Sequence, residues 1–164
     1  MSVLALDLGT STGFALSVGE GALVFGTLDL RPKKYEGGGH RLLKLRAKLD
    51  EWHAIKALAH VYFEAVRRHI GTDAAHIYGG LMGEVESWCE AHGVPYAGVP
   101  VGTIKKGWVG KGNANKADMI AEAENRGFEV DNDNEADALA LMWHVCPQAF
   151  GYVGEVRSVK EAAE

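Results

Sequence analysis

Cysteine is scarce in this chain: Cys89 and Cys146 are the only two among 164 residues. Two thiols are too few for a disulfide framework or a zinc cluster, and buried free thiols in a reducing compartment are the expectation. Long apolar runs are missing as well. None approaches the ~18–20 residues of a membrane span, so no membrane partner is expected. No leader is expected either, because the chain enters apolar Val3-Leu4-Ala5-Leu6 with no basic region or cleavage site ahead of it. There is no internal repeat and no low-complexity stretch. An excess of positive charge, the usual mark of a nucleic-acid binder, is absent too: the net charge is −5. These absences leave one soluble, intracellular globular domain.

The charge that is present is unevenly spread. Residues 31–48 hold Arg31, Lys33, Lys34, Arg41, Lys44, Arg46 and Lys48 against the single acid Glu36. Residues 101–117 hold Lys105, Lys106, Lys111 and Lys116 and no acid. Negative charge gathers at 84–90, at 118–137 and in the tail. Distribution decides what a surface attracts more than the total does.

Apolar patterning predicts strands at Val3–Leu8, Phe14–Val18 and Ala22–Leu30, joined by the turns at 9–13 and 19–21 into an antiparallel meander. A Pro/Gly loop follows at 31–39. Leu42, Leu43, Leu45, Leu49, Trp52, Ile55 and Leu58 recur at helical spacing from His40 to about Leu58, with basic residues between them. His60–Phe63 reads as a fourth strand, Ala74–His92 as a helix stopped by Gly93, and Val94–Val99 as a fifth strand. Pro100 opens a Gly- and Lys-rich loop. Two more helices are predicted, one from about Asn115 to Arg126 and one capped by Asp133 or Asn134 and stopped by Pro147. Residues past Gly151 show no clear period. This order builds an α/β fold: a mixed five-stranded sheet, antiparallel meander then parallel strands, with helices on both faces. Strand four returns beside strand one if the first crossover is right-handed.

Three acids stand at the ends of apolar runs: Asp7 after Val3-Leu4-Ala5-Leu6, Glu64 after Val61-Tyr62-Phe63, and Asp137 within Glu135-Ala136-Asp137-Ala138-Leu139. A carboxylate beside a buried strand is costly unless it meets solvent or a cation. Three converging carboxylates repel one another, and a hard divalent ion is the usual remedy. That points to metal-dependent phosphodiester chemistry. The plainer readings are an Asx turn over Gly9 for Asp7 and a surface carboxylate for Asp137.

In order and spacing, these segments resemble the ribonuclease H-like superfamily, and within it the RuvC-type Holliday-junction resolvases and their bacteriophage relatives. The matching pieces are Leu4-Ala5-Leu6-Asp7-Leu8-Gly9-Thr10-Ser11-Thr12-Gly13, Val61-Tyr62-Phe63-Glu64, Lys105-Lys106 with Gly110-Lys111-Gly112-Asn113-Ala114-Asn115-Lys116, and Asn134-Glu135-Ala136-Asp137-Ala138-Leu139. The resemblance implies a nuclease domain over residues 1–150 with a tail at 151–164. It also implies a crossover-junction endodeoxyribonuclease that nicks branched DNA in recombination and repair, in the cytoplasm of a bacterial or phage-infected cell. Mg²⁺ is the implied cofactor, with Mn²⁺ substituting and two ions per site, held by Asp7, Glu64, position 134 and Asp137. Position 134 is Asn where the family carries an acid. Asn134 can offer its amide oxygen, Asp133 lies four residues before Asp137 on the same helical face, and Glu135 has the longer reach. Glu135 is accordingly counted with Asp7, Glu64 and Asp137 as catalytic, the fourth ligand staying open among the three.

Lys105, Lys106, Lys111 and Lys116 are candidate phosphate contacts, with Gly110 and Gly112 easing backbone approach to DNA. Arg41, Lys44 and Lys48 are expected to support them. Trp108 suits base stacking or a plain hydrophobic anchor. Arg67-Arg68-His69 occupies the region where some family members carry a wedging aromatic, so Arg67 and Arg68 are expected to grip phosphates instead. Gly79, Gly80 and Gly83 weaken a helix by about 1 kcal/mol each, which close approach of a second copy would justify. The family pairs subunits through this helix, so a homodimer on a four-way junction is implied. Two other readings stand beside this one: an actin-like nucleotide-binding or kinase fold, for which the chain is short, and a non-catalytic binder of branched DNA.

Overall fold

The computed structural model describes residues 2–19 and 21–151, and residues 157–160 as backbone. The chain runs β1 (Ser2–Asp7), β2 (Ser11–Gly19), β3 (Ala22–Asp29), α1 (Gly39–Ile55), β4 (Leu58–Ala65), α2 (Thr72–His92), β5 (Tyr96–Pro100), α3 (Val101–Val109), α4 (Lys116–Asn125), α5 (Asp133–Val145) and β6 (Arg157–Lys160). The sheet order is β5-β4-β1-β2-β3-β6. β1, β2 and β3 form the antiparallel meander, and β4 lies parallel to β1 with Leu6 opposite Phe63. β5 is parallel to β4. The five expected strands are thus joined by a sixth, β6, parallel to β3. It lies in the tail where no period was legible; residues 152–156 and 161–164 of that tail fall outside the described residues.

Alternation along β1 splits its side chains between two cores. Leu4, Leu6 and Leu8 join Phe14, Leu16, Leu45, Leu49, Trp52, Leu81, Val85 and Trp88 beneath α1 and α2. Val3 and Ala5 join Ala15, Phe25, Ile104, Trp108, Met119, Ala136, Leu139 and Ala140 beneath α3, α4 and α5. Helices therefore cover both faces, as the element order requires.

Several boundaries differ from the sequence reading. β2 begins at Ser11, since Ser11-Thr12 pair with β3 instead of turning. The Gly/Lys stretch after Pro100 is helical: Pro100 precedes the first turn of α3, and Ile104 and Trp108, four apart, are both buried. Glycines at 102 and 107 hid that period. Asn132, not Asp133 or Asn134, caps α5, its Oδ1 accepting from the Glu135 N–H at 3.0 Å. Among the described residues no helix is long and apolar enough to cross a membrane.

Candidate active site

Face parity carries Asp7 and Glu64 to the same place. Asp7 continues the Val3–Ala5 face of β1, and Glu64 shares parity with Tyr62, which packs on that same core. They stand one residue beyond the Leu6–Phe63 pair at the C-terminal ends of adjacent parallel strands. α5 crosses this face and brings Asp137 from its second turn. One carboxylate oxygen from each of Asp7, Glu64 and Asp137 lies within 4.8 Å of the others.

Close contacts hold these three in place. The turn after Asp7 is locked by Thr12, whose Oγ1 donates to the Gly9 carbonyl at 2.7 Å and accepts from the Gly9 N–H at 3.3 Å. The end of β4 is held by Tyr78 of α2, whose hydroxyl donates to the Glu64 carbonyl at 2.7 Å and accepts from the Val66 N–H at 3.2 Å. Gly13 lets α5 approach, since a Cβ there would stand 1.9 Å from the Asn134 carbonyl oxygen. Neither Tyr78 nor Gly13 carries a signal in the sequence that marks this role, beyond the glycine itself.

The electrostatics are those of a cation site. Burial, then the Glu64 charge and a carboxyl–carboxyl hydrogen bond with Glu64, hold Asp7 well above the carboxylate range. Burial, then the charges of Glu64 and Asp133, push Asp137 up to about 7 against the pull of Lys105 and Lys116. The Oδ1 of Asp137 is buried and has no hydrogen-bond partner. An orphaned acceptor among three crowded carboxylates, all oxygen donors, fits a hard divalent ion of the Mg²⁺ type.

The three candidates for a fourth ligand separate here. Glu135 is buried and turned to β3: its Oε1 accepts from Thr27 Oγ1 at 3.1 Å and its Oε2 from the Asp131 N–H at 2.8 Å. The catalytic role expected of Glu135 is therefore corrected to a bracket that ties the start of α5 to the sheet. Asn132 joins the bracket by donating from Nδ2 to Thr27 Oγ1 at 2.9 Å. Asp133 does reach the site electrostatically, raising both Asp7 and Asp137. It pairs with Lys116 at 3.2 Å. Asn134 lies on the first turn of α5, half-buried, with its backbone against Gly13.

Of the basic candidates, Lys105 and Lys116 lie close enough to pull on Asp137, whereas Lys111 is paired with Asp118 at 3.1 Å and Lys106 is exposed. Gly110 ends α3 in a left-handed conformation, and Gly112 is close to the carbonyl of Gly102, so both have reasons inside the chain. Of its two expected roles Trp108 takes that of the hydrophobic anchor: it is buried, and its Nε1 donates to the Met119 carbonyl at 3.2 Å. Arg67 and Arg68 are exposed in the loop after β4 and carry no ion pair among the described residues. That loop also holds Ile70, which sequence reading passed over; it is fully exposed.

A three-carboxylate cluster on one rim of the β5-β4-β1-β2-β3-β6 sheet, two acids from strand ends and one from α5, gives this ribonuclease H-like α/β fold a candidate metal centre. No family model and no curated protein matches the sequence. Among solved structures, the chain is similar to RuvC of Thermus thermophilus in complex with a Holliday junction substrate, with TM-score 0.71 and 21% identity over 86% of this chain and 90% of that one. It is similar to a second Thermus thermophilus RuvC structure at TM-score 0.66 and 23% identity, over the same 86% and 90%. The yeast mitochondrial Holliday junction resolvase Ydc2 is similar at TM-score 0.53 and 15% identity, over 90% of this chain and 76% of that one. The chain shares the fold of these resolvases.

Proposed function

We propose that this chain is a divalent-metal-dependent DNA endonuclease of the Holliday-junction resolvase type, nicking four-way junctions and other branched DNA. The observation that carries the reading is the convergence of Asp7, Glu64 and Asp137, with the buried orphan Oδ1 of Asp137, on the fold that the resolvases share. Asp7, Glu64 and Asp137 would hold two Mg²⁺ or Mn²⁺ ions, with Asp133 or Asn134 completing the set. Bound there, the ions supply an activated water and Lewis-acid stabilisation of the leaving oxygen.

The chain's own residues do the rest. Carboxylates buried this far are costly as anions, and a bound divalent cation would offset that cost. Lys105 and Lys116 flank the acids and offset their repulsion of DNA phosphate; Lys106, Lys111, Arg67 and Arg68 extend the basic rim. Exposed Ile70 is suited to wedge between bases at the crossover, the role an aromatic plays in some family members. A second copy docks on α2, where a methyl group added at Gly79 or Gly83 would meet nothing within 4 Å. Two sites on a dimer would face two strands of a junction.

The test is nicking of a four-way junction and of a linear duplex of the same sequence with Mg²⁺. Junction-selective nicking that Asp7→Asn abolishes is the expected result. Junction binding without nicking would favour a non-catalytic binder, and wild-type nicking by Asp7→Asn would remove the site assignment.

A further inference from the structure

The C-terminal rim of the sheet carries a second basic element that the acid cluster and the α3–α4 lysines leave unused. β1 and β4 end on this rim at Asp7 and Glu64. β3, antiparallel to β2, ends on it too, with Asp29 opposite Ser11. The loop from Arg31 to Gly38 therefore leaves the sheet on the same rim as the carboxylates. It is anchored at its start: Leu30 is fully buried, and its N–H donates to the carbonyl of Thr10, in the turn that follows Asp7, at 2.8 Å. Lys44 Nζ of α1 donates to the Asp29 carbonyl at 2.7 Å and fixes the far side.

What this anchored loop presents is charge and one aromatic. From Asp29 to Lys44 the chain holds five cations against two acids. Arg31 is committed to Asp29 through two hydrogen bonds, at 2.9 and 2.7 Å. Glu36 is committed to the Lys33 N–H at 2.9 Å. The side-chain charges of Lys33 and Lys34 form no ion pair among the described residues, and both are exposed. Tyr35 stands 91% exposed at the tip, with the Lys34 ammonium 5.3 Å from its ring centroid. Apart from that contact, nothing among the described residues accounts for a tyrosine held in water beside two lysines that form no ion pair.

We propose that Lys33, Lys34 and Tyr35 form a clamp for the sugar–phosphate backbone of the double-stranded arm that flanks the cleavage site on the β3 side. This inference rests on the nuclease reading above. β3 is two strands from β1, roughly 10 Å at the usual inter-strand spacing, or about three base pairs of duplex at ~3.4 Å each. The acids then sit between two basic edges, this loop on one side and Lys105, Lys106, Lys111 and Lys116 on the other. Lys33 and Lys34 contact phosphates, and the Tyr35 ring packs on sugar. An acidic protein thereby gains a positive rim only where DNA lies.

The contacts differ in kind, and so do their signatures. Binding of a four-way junction is measured against salt in Ca²⁺, with Asp7→Asn as the parent to prevent cleavage. Adding Lys33→Ala/Lys34→Ala should weaken binding by about tenfold or more at low salt and flatten the log–log salt slope by about 1.8, two phosphates at roughly 0.9 each. Tyr35→Ala should weaken binding with the slope unchanged, because an apolar contact releases no counterion. Thermal melting of each variant at the parent's temperature excludes a folding defect, since all three side chains are exposed. Parental affinity and slope in the lysine variant overturn the clamp. If Lys105→Ala/Lys111→Ala still loses affinity in that case, the nuclease reading stands without it; a parent that binds no DNA overturns both.

Discussion

The two faces of the sheet meet their helices through different material near the acids. Under α5 the contact layer is small, with Ala5, Ala15, Ala136, Ala138 and Ala140 all buried and Gly13 against the Asn134 backbone. Under α1 and α2 it is large: Leu45, Leu49, Trp52, Tyr78, Leu81 and Trp88. Small residues bring a helix close, and closeness is what sets Asp137 beside Asp7 and Glu64. Large residues bury more apolar area at greater separation, about 25 cal/mol for each Å² removed from water. The α5 crossing is built for proximity and holds the three acids, while Phe25, Ile104, Trp108, Met119 and Phe128 fill the rest of that face. The other face supplies bulk stability and leaves a glycine-lined helix facing outward.

The proximity face breaks first. In Gly13→Ala the added methyl meets the Asn134 carbonyl, so α5 must shift; a loss of roughly 3 kcal/mol, the upper end for overpacking, is expected in urea unfolding. A loss below about 1 kcal/mol would show that α5 does not dock as closely as described. Next is the bracket. Glu135→Ala removes the acceptor of the Thr27 hydroxyl and of the Asp131 N–H, and a loss of about 2 kcal/mol is expected, while Glu135→Gln keeps an acceptor and loses less. Equal losses in the two variants would remove the bracket.

How much of this was legible in the sequence depended on range. The apolar runs of β1 and β4 are local signals, so both acids could be placed at strand ends, and the neighbouring of β1 and β4 followed from the crossover. The orientation of Glu135 was not legible. The run Asp131-Asn132-Asp133-Asn134 offers four capping residues, and moving the cap by one rotates each later side chain by about 100°. Trp108 was left open between core and surface and Ile70 was passed over, because an isolated apolar residue near glycines does not disclose whether a core is waiting for it. α3 was missed because its period rests on only two buried residues, Ile104 and Trp108.

A pH series sharpens the electrostatic side of the contrast. Asp137 sits at about 7 when folded against 3.8 ordinarily, and Asp7 is shifted the same way. Between those values the folded state binds more protons, so the ion-free protein is most stable below about pH 4 from these groups and loses that stability as pH rises through 7. Its melting temperature relative to Asp137→Asn should therefore fall from pH 5 to pH 8, and Mg²⁺ should restore it at pH 8. A difference that stays flat with pH would mean the carboxylates are not mutually strained. The smallest effect belongs to the other face. Gly79→Ala/Gly83→Ala should raise the stability of the folded monomer by about 1–2 kcal/mol. If the proposed dimer forms on α2, the same pair should shift it toward monomers in sedimentation; an undisturbed dimer would move the subunit contact off α2.

Titration of Mn²⁺ into the metal-free protein, followed by calorimetry or by the loss of the free-ion spin-resonance signal, bears most directly on the three-carboxylate centre. Wild-type protein and Glu135→Gln should bind the ion alike, whereas Asp7→Asn and Asp137→Asn should each lose tenfold or more in affinity, about 1.4 kcal/mol per tenfold. Undiminished binding by Asp7→Asn and Asp137→Asn, or a loss confined to Glu135→Gln, would contradict the assignment of the metal centre to Asp7, Glu64 and Asp137.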